Sequence, residues 1–169
     1  IRYGGLSNNQ GLPIAALLVQ SSPVPLADVE VTSSSSVGLY NSIGGTLTNG
    51  KFYDNGSRGV QLTAGIATMT AVESSRNGAD GLNVGEGQAY VFGSTFAFNG
   101  AYGAHASGGN NSVLSITTAV FTGNGSAPVQ MQANANFQLT GAVTASGSPV
   151  LGVDVTGGSI IFPRIWRKS

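Results

Sequence analysis

Asn-Gly pairs stand at Asn55-Gly56, Asn77-Gly78, Asn99-Gly100 and Asn124-Gly125, spaced 22, 22 and 25 residues apart. One such pair signals a two-residue hairpin turn. A fixed period over four pairs points instead to one turn of a coil that recurs, with its corner at the same place each time. Taking the Asn as the anchor of each coil tests this. Eight residues before the anchors lie Leu47, Met69, Val91 and Ile116, and three before lie Phe52, Ser74, Phe96 and Phe121. Five after lie Val60, Leu82, Ala104 and Val129, and seven after lie Leu62, Val84, Ala106 and Met131. Every row but the one holding Ser74 is wholly apolar.

The register extends outward. Ser34 as anchor places Leu26, Val31, Leu39 and Asn41 on the same rows; Asn9 places Ile1, Leu6, Ile14 and Ala16; Ser146 places Gln138, Val143, Leu151 and Val153. In that last coil Phe137 and Leu139 flank the expected position, which implies a one-residue bulge or deletion. Ile160 and Ile165 supply a final half coil. The two wider spacings fall where the loop after the third strand is longer, at Ser21 to Pro25 and Ser107 to Ser112.

Apolar residues five and seven after the anchor alternate with outward ones, the period of a strand. No helical periodicity competes with it. A single coil cannot bury its own apolar row, so neighbours must stack at about 4.8 Å to make one core. At the corners, Asn tolerates left-handed backbone and Gly follows without steric cost. Stacked Asn amides at Asn9, Asn55, Asn77, Asn99 and Asn124 can also hydrogen-bond from coil to coil. The expected fold is an all-β parallel β-solenoid of about seven coils, roughly 22 residues and three short strands each, forming one domain over residues 1–169. Stretches such as GTLTNGKFYDNGSRGVQL and ATMTAVESSRNGADGLNV resemble repeats of the pectin-lyase-like superfamily. That resemblance implies right-handed winding and an extracellular or cell-surface setting. It says little about activity, because the fold hosts many.

Composition narrows the function. Only 8% of residues are charged and the formal net charge is zero, so no field attracts nucleic acid or anionic lipid. The basic cluster Arg164, Arg167 and Lys168 reads as a solvated chain end. Cysteine is absent, which excludes a disulfide framework and a thiolate metal site. No apolar run reaches the length of a membrane span. No cofactor or metal is expected.

Three of the seven acids have a partner in register. Lys51 faces Glu73, Asp54 faces Arg76 and Arg58 faces Asp80 in adjacent coils, which reads as surface ion pairs. Asp28, Glu30, Glu86 and Asp154 remain scattered. On the superfamily's usual catalytic face, the outer side of the first strand, a lyase would need clustered acids with an Arg or Lys. A hydrolase would need two or three clustered Asp there. This chain carries Thr46, Thr48, Thr68, Thr70, Tyr90, Phe92, Ser115 and Thr117 on that face. The expectation is therefore no catalytic residue and no enzyme.

Two outward rows are suited to a polysaccharide. Tyr40, Gln61, Asn83, His105 and Gln130 line up six residues after their anchors as hydrogen-bonding side chains on a strand face. Tyr90 and Phe92, with Tyr102 a coil edge away, offer rings that stack on sugars. The first reading is a structural or adhesive solenoid, a surface-protein segment or a filament subunit. Apolar offsets at both ends suit end-to-end self-association, with Pro163 and Trp166 as a competing cap. The second reading is a non-catalytic glycan-binding module.

Overall fold

The computed structural model describes residues 15–157, and all structural statements below concern them. Ile1, Leu6, Asn9, Ile14, Ile160, Pro163, Ile165, Trp166 and the terminal basic residues lie outside that range.

The chain winds as a parallel β-solenoid of about six turns. One sheet follows the third strand of successive coils through seven parallel strands: Ala15–Val19, Val37–Asn41, Val60–Leu62, Leu82–Val84, Tyr102–Ala106, Ala127–Gln132 and Val153–Thr156. The other sheet carries the first and second strands. These are separate in early coils, as at Gly44–Thr48 and Lys51–Tyr53. From Gln88 on they run together as Gln88–Ala97, Val113–Thr122 and Asn136–Ser146. The one helical element among the described residues is a 3-10 turn at Gly109–Asn111, inside the longer loop.

Register follows the anchor offsets. Val60 pairs with Leu82, Leu82 with Ala104 and Ala104 with Val129. Leu47 pairs with Met69, Met69 with Val91 and Val91 with Ile116. All of these are buried, and the Phe96 and Phe121 rings stack at 5.3 Å and 18°. Ser74, the polar exception, is fully buried, donates to Gly81 O at 2.8 Å and accepts from Asn77 Nδ2. Its polarity is therefore satisfied at no loss to the core.

Left-handed backbone occurs one residue earlier than expected. The corner residues with positive φ are Ser33, Asp54, Arg76, Phe98 and Gly123, each just before an anchor. A second left-handed row, Asp28, Asn49, Ala71, Gly93 and Thr118, bends the chain between first and second strands. Glycine follows the anchors for a different reason. A Cβ on Gly56, Gly78, Gly100 or Gly125 would meet a main-chain oxygen of the preceding coil at 2.5, 2.3, 2.3 and 2.2 Å. Close stacking, not a positive φ, requires Gly there.

Ala71 is exposed and sits at φ 53°, where a Cβ costs about 1–2 kcal/mol. Part of that is offset by the extra freedom glycine gives the unfolded chain. Ala71→Gly is expected to stabilise the fold by about 0.5–1 kcal/mol in urea denaturation.

The anchors are internal. Asn55, Asn77, Asn99 and Asn124 are at most 2% exposed. Asn55, Asn77 and Asn99 each donate both the backbone N–H and Nδ2 to Oδ1 of the next anchor, at 2.9–3.2 Å. Ser34 N opens the ladder on Asn55 Oδ1 at 3.1 Å. Its far end is Ser148, whose Oγ accepts from Asn124 N at 3.1 Å, and not Ser146.

That shift corrects the last coil. Val129 pairs with Val153 and Met131 with Val155, so these stand where Leu151 and Val153 were expected. Two insertions cause it: Ile116 pairs with Leu139 where Gln138 was expected, and a bulge follows within the strand. Thr117 pairs with Thr140 but Ala119 pairs with Val143, so one extra residue enters the strand. The first described coil is also displaced. Leu17 pairs with Leu39 and Val19 with Asn41, three residues beyond Ile14 and Ala16. Asn41 keeps its inward place by accepting from Ile43 N and Gly44 N at 2.9 and 2.8 Å, which folds the next corner.

Candidate functional site

Few ionisable groups exist in this chain, and several converge on the outer face of the third-strand sheet. Asp80 lies in the bend before the Leu82–Val84 strand, with a side chain 5% exposed. Its Oδ2 accepts from Arg58 Nε at 3.4 Å, from Asn83 Nδ2 at 3.4 Å and is 3.2 Å from His105 Nδ1. Its Oδ1 accepts from the Tyr102 backbone N–H at 3.4 Å. A carboxylate so enclosed needs this ring of donors to offset its lost hydration.

The pairing of Arg58 with Asp80 therefore exists, but it is no surface pair. Asp54 and Arg76 are the exposed pair, bidentate at 2.9 and 3.1 Å, with the guanidinium 5.3 Å from the Tyr53 ring centroid. The Asp54 hydrogen bond raises the pKa of Arg76. Both partners are about half exposed, so the pair is worth no more than about 1 kcal/mol. Lys51 and Glu73 are register partners, yet the Glu73 carboxylate accepts from Ser75 Oγ at 3.1 Å. No ion pair joins them among the described residues.

His105 has a side chain 19% exposed. Its Nδ1 faces Asp80 and Asn83 Nδ2, so its Nε2 is left for another partner. The Tyr102 ring meets the imidazole edge-on with centroids 5.3 Å apart. Tyr102 OH donates to Asp154 Oδ2 at 3.4 Å, although the two residues are 52 apart in sequence. Burial, followed by the Asp154 charge, raises the Tyr102 phenol above its ordinary pKa.

The expected polar row is thus assembled, though unevenly exposed. Tyr40, Gln61, Asn83, His105, Gln130 and Asp154 are successive register partners. Tyr40 OH accepts from Thr63 Oγ1 and Gln61 Oε1 accepts from Arg58 Nη1. Asn83 and Gln130 are buried at 4 and 7%, and Gln130 Oε1 has no hydrogen-bond partner. Tyr90 and Phe92 lie on the other sheet, so they and Tyr102 do not form one aromatic surface. Phe92 is exposed at 38% between Thr70 and Thr117 in its row, while Tyr90 OH donates to Gln88 Oε1.

Sequence reasoning missed Asp154 as a member of this group. One extra residue before the Asn136–Ser146 strand and one at its bulge together moved the last coil by two residues and hid its alignment with Gln130. Among the described residues no group of three or more His, Cys, Asp or Glu could hold a metal ion. No described helix is long and apolar enough to cross a membrane.

No family model and no curated protein matches the sequence. One solved structure does share the fold. The chain is similar to the periplasmic alginate epimerase AlgG, at 18% identity and a TM-score of 0.57. The match covers 83% of this chain and 38% of that one, so this chain spans well under half the length of AlgG. At that identity the likeness supports the parallel β-solenoid fold and nothing finer.

Proposed function

We propose that this chain is a structural and adhesive β-solenoid of an extracellular or periplasmic protein, and that its adhesive face is the third-strand one around Asp80. The observation that carries this reading is the convergence of Arg58, Asp80, Tyr102, His105 and Asp154 on one strand face of a chain with only 8% charged residues. A purely structural wall needs no such group. Parallel strands hold these side chains in rows at about 4.8 Å, and an extended sugar chain can lie across them. The Arg58 guanidinium offers donors, and the Asp154 carboxylate and His105 Nε2 accept from hydroxyls, while Asp80 holds Arg58 and His105 in place from beneath. The periplasmic, polysaccharide-modifying role named for AlgG agrees with this setting.

The solenoid itself serves as a spacer. Leu139, Leu151 and Val155 in the last described coil are 41, 62 and 46% exposed. Apolar residues so placed favour contact with further coils or with a second copy end to end. Persistence of monomers in sedimentation velocity at high concentration would count against association of copies.

A specific arrangement favours a second reading, enzymatic proton transfer. Asp80 holds His105 by Nδ1, which leaves Nε2 as a base, with a phenol and a guanidinium beside it. Such a set suits abstraction of a proton next to a sugar carboxylate.

One assay separates the readings. The protein is titrated into alginate and into a neutral glucan by calorimetry, and the recovered alginate is analysed by proton NMR. Adhesion predicts binding that falls at least tenfold in Arg58→Ala, with the polymer unchanged. Altered uronate composition that disappears in His105→Gln establishes the enzyme reading. No binding to either polymer overturns the adhesive assignment of this face.

A further inference from the structure

A fifth Asn-Gly pair, Asn49-Gly50, falls off the period of the other four. Asn-Gly sequences lose the side-chain amide spontaneously when the following backbone nitrogen attacks the side-chain carbonyl carbon. The N–C bond closes a cyclic imide and ammonia leaves. Water then opens the imide to aspartate or to isoaspartate. The reaction needs an accessible side chain and a free backbone nitrogen, because glycine offers no steric shield.

The four corner pairs meet neither condition. Their Asn side chains are buried in the ladder. The N–H of Gly56, Gly78, Gly100 and Gly125 each donates at 2.8 Å to a main-chain oxygen of the preceding coil. Asn49-Gly50 differs on both counts. Asn49 is exposed in the corner between first and second strands, at φ 53°. The Gly50 N–H makes no hydrogen bond among the described residues. The reason lies in the neighbouring coil. The equivalent N–H of Val72 donates to Ser94 Oγ at 3.1 Å. At the matching step from Gly50 the side chain is that of Val72, which carries no acceptor.

We infer that Asn49 is a site of spontaneous deamidation in the folded protein, and that the other four Asn-Gly pairs are protected by the ladder. The product disturbs its surroundings. Asn49 Nδ2 now donates to Asp28 Oδ1 at 3.2 Å, and conversion sets a second carboxylate against Asp28. Isoaspartate also adds a main-chain atom between two ladder bonds, Asn49 N to Thr70 O at 3.0 Å and Glu73 N to Gly50 O at 2.9 Å. The aged protein therefore carries one more negative charge and a loosened joint between adjacent coils.

The test is incubation of the folded protein at mildly alkaline pH, with peptide mass spectrometry over time and a parallel sample in denaturant. Corner pairs can react only after local opening, and breaking even one net hydrogen bond of about 1.4 kcal/mol slows them about tenfold. The expected result is conversion at Asn49 at least that much faster than at Asn55, Asn77, Asn99 or Asn124, with the difference lost in denaturant. Equal rates at the five pairs in the folded protein, or retention of the amide at Asn49 while corner pairs convert, overturns the inference.

Discussion

Asn77→Ala is expected to destabilise the fold by about 4 kcal/mol, among the largest effects of any single substitution here. Asn77 Oδ1 accepts from Asn55 N and Asn55 Nδ2 at 3.2 and 2.9 Å. Its Nδ2 donates to Phe52 O, Ser74 Oγ and Asn99 Oδ1 at 3.0–3.1 Å. Alanine removes all five contacts at a site 2% exposed, where water cannot replace them. A buried polar group left unpaired costs about 1–3 kcal/mol, and at least two donors of Asn55 lose their shared acceptor. The losses are not additive, so about 4 kcal/mol is a central figure. The site is also mid-stack, and a solenoid is held by nearest-neighbour interfaces. Urea denaturation should show a midpoint shifted strongly downward. Thr70→Ala, on the exposed first-strand face, should stay within about 0.5 kcal/mol. A loss below about 1 kcal/mol for Asn77→Ala would show that the ladder is incidental to stability.

Gly78→Ala should cost about 3 kcal/mol or more through a different mechanism. The added Cβ would lie 2.3 Å from Gly56 O, a main-chain atom that cannot rotate aside. Relief requires moving the coils apart, yet the Gly78 N–H to Asn55 O bond at 2.8 Å holds them together at that place. Gly85→Ala is the control. Its Cβ would meet nothing nearer than 3.5 Å, and no positive φ restricts it. There alanine should be neutral or stabilise by up to about 1 kcal/mol, by restricting the unfolded chain. Equal effects at the two glycines in thermal unfolding would overturn close stacking as the reason for Gly after each anchor.

Both predictions rest on features that are legible in the sequence to different depths. The period and the apolar rows follow from side-chain identity, because a buried strand face must be apolar at every coil. Phe52, Phe96 and Phe121 announce their row, and even Ser74 keeps it. The left-handed position is not legible in the same way. Asp54, Arg76 and Phe98 share no propensity for positive φ, and the corner imposes it on them because the stacked coils above and below share one path. Lys51 and Glu73 show the converse case. Register makes them neighbours, but the carboxylate finds Ser75 closer to hand.

The candidate site was legible in part. Tyr40, Gln61, Asn83, His105 and Gln130 align by offset alone, and so does Arg58 with Asp80. Sequence could not show that the Asp80 carboxylate sinks beneath its donors, since offset states which coil a residue belongs to and not how neighbouring side chains cover it. It also could not bring Asp154 to Tyr102, because two inserted residues, one before Phe137 and one near Gly141, reset everything after them.

Residue order alone specifies the repeat, the all-β class, the coil length and which residues of the middle coils face inward. Those properties depend on periodicity, which is local and additive along the chain. Packing of coil on coil selects which residues take the strained corner, where the first and last described coils fall in register, and which ionisable groups meet. Those outcomes depend on distances between coils about 22 residues apart, at which a carbonyl oxygen, a bulge or an unpaired N–H selects among side chains of equal local fitness.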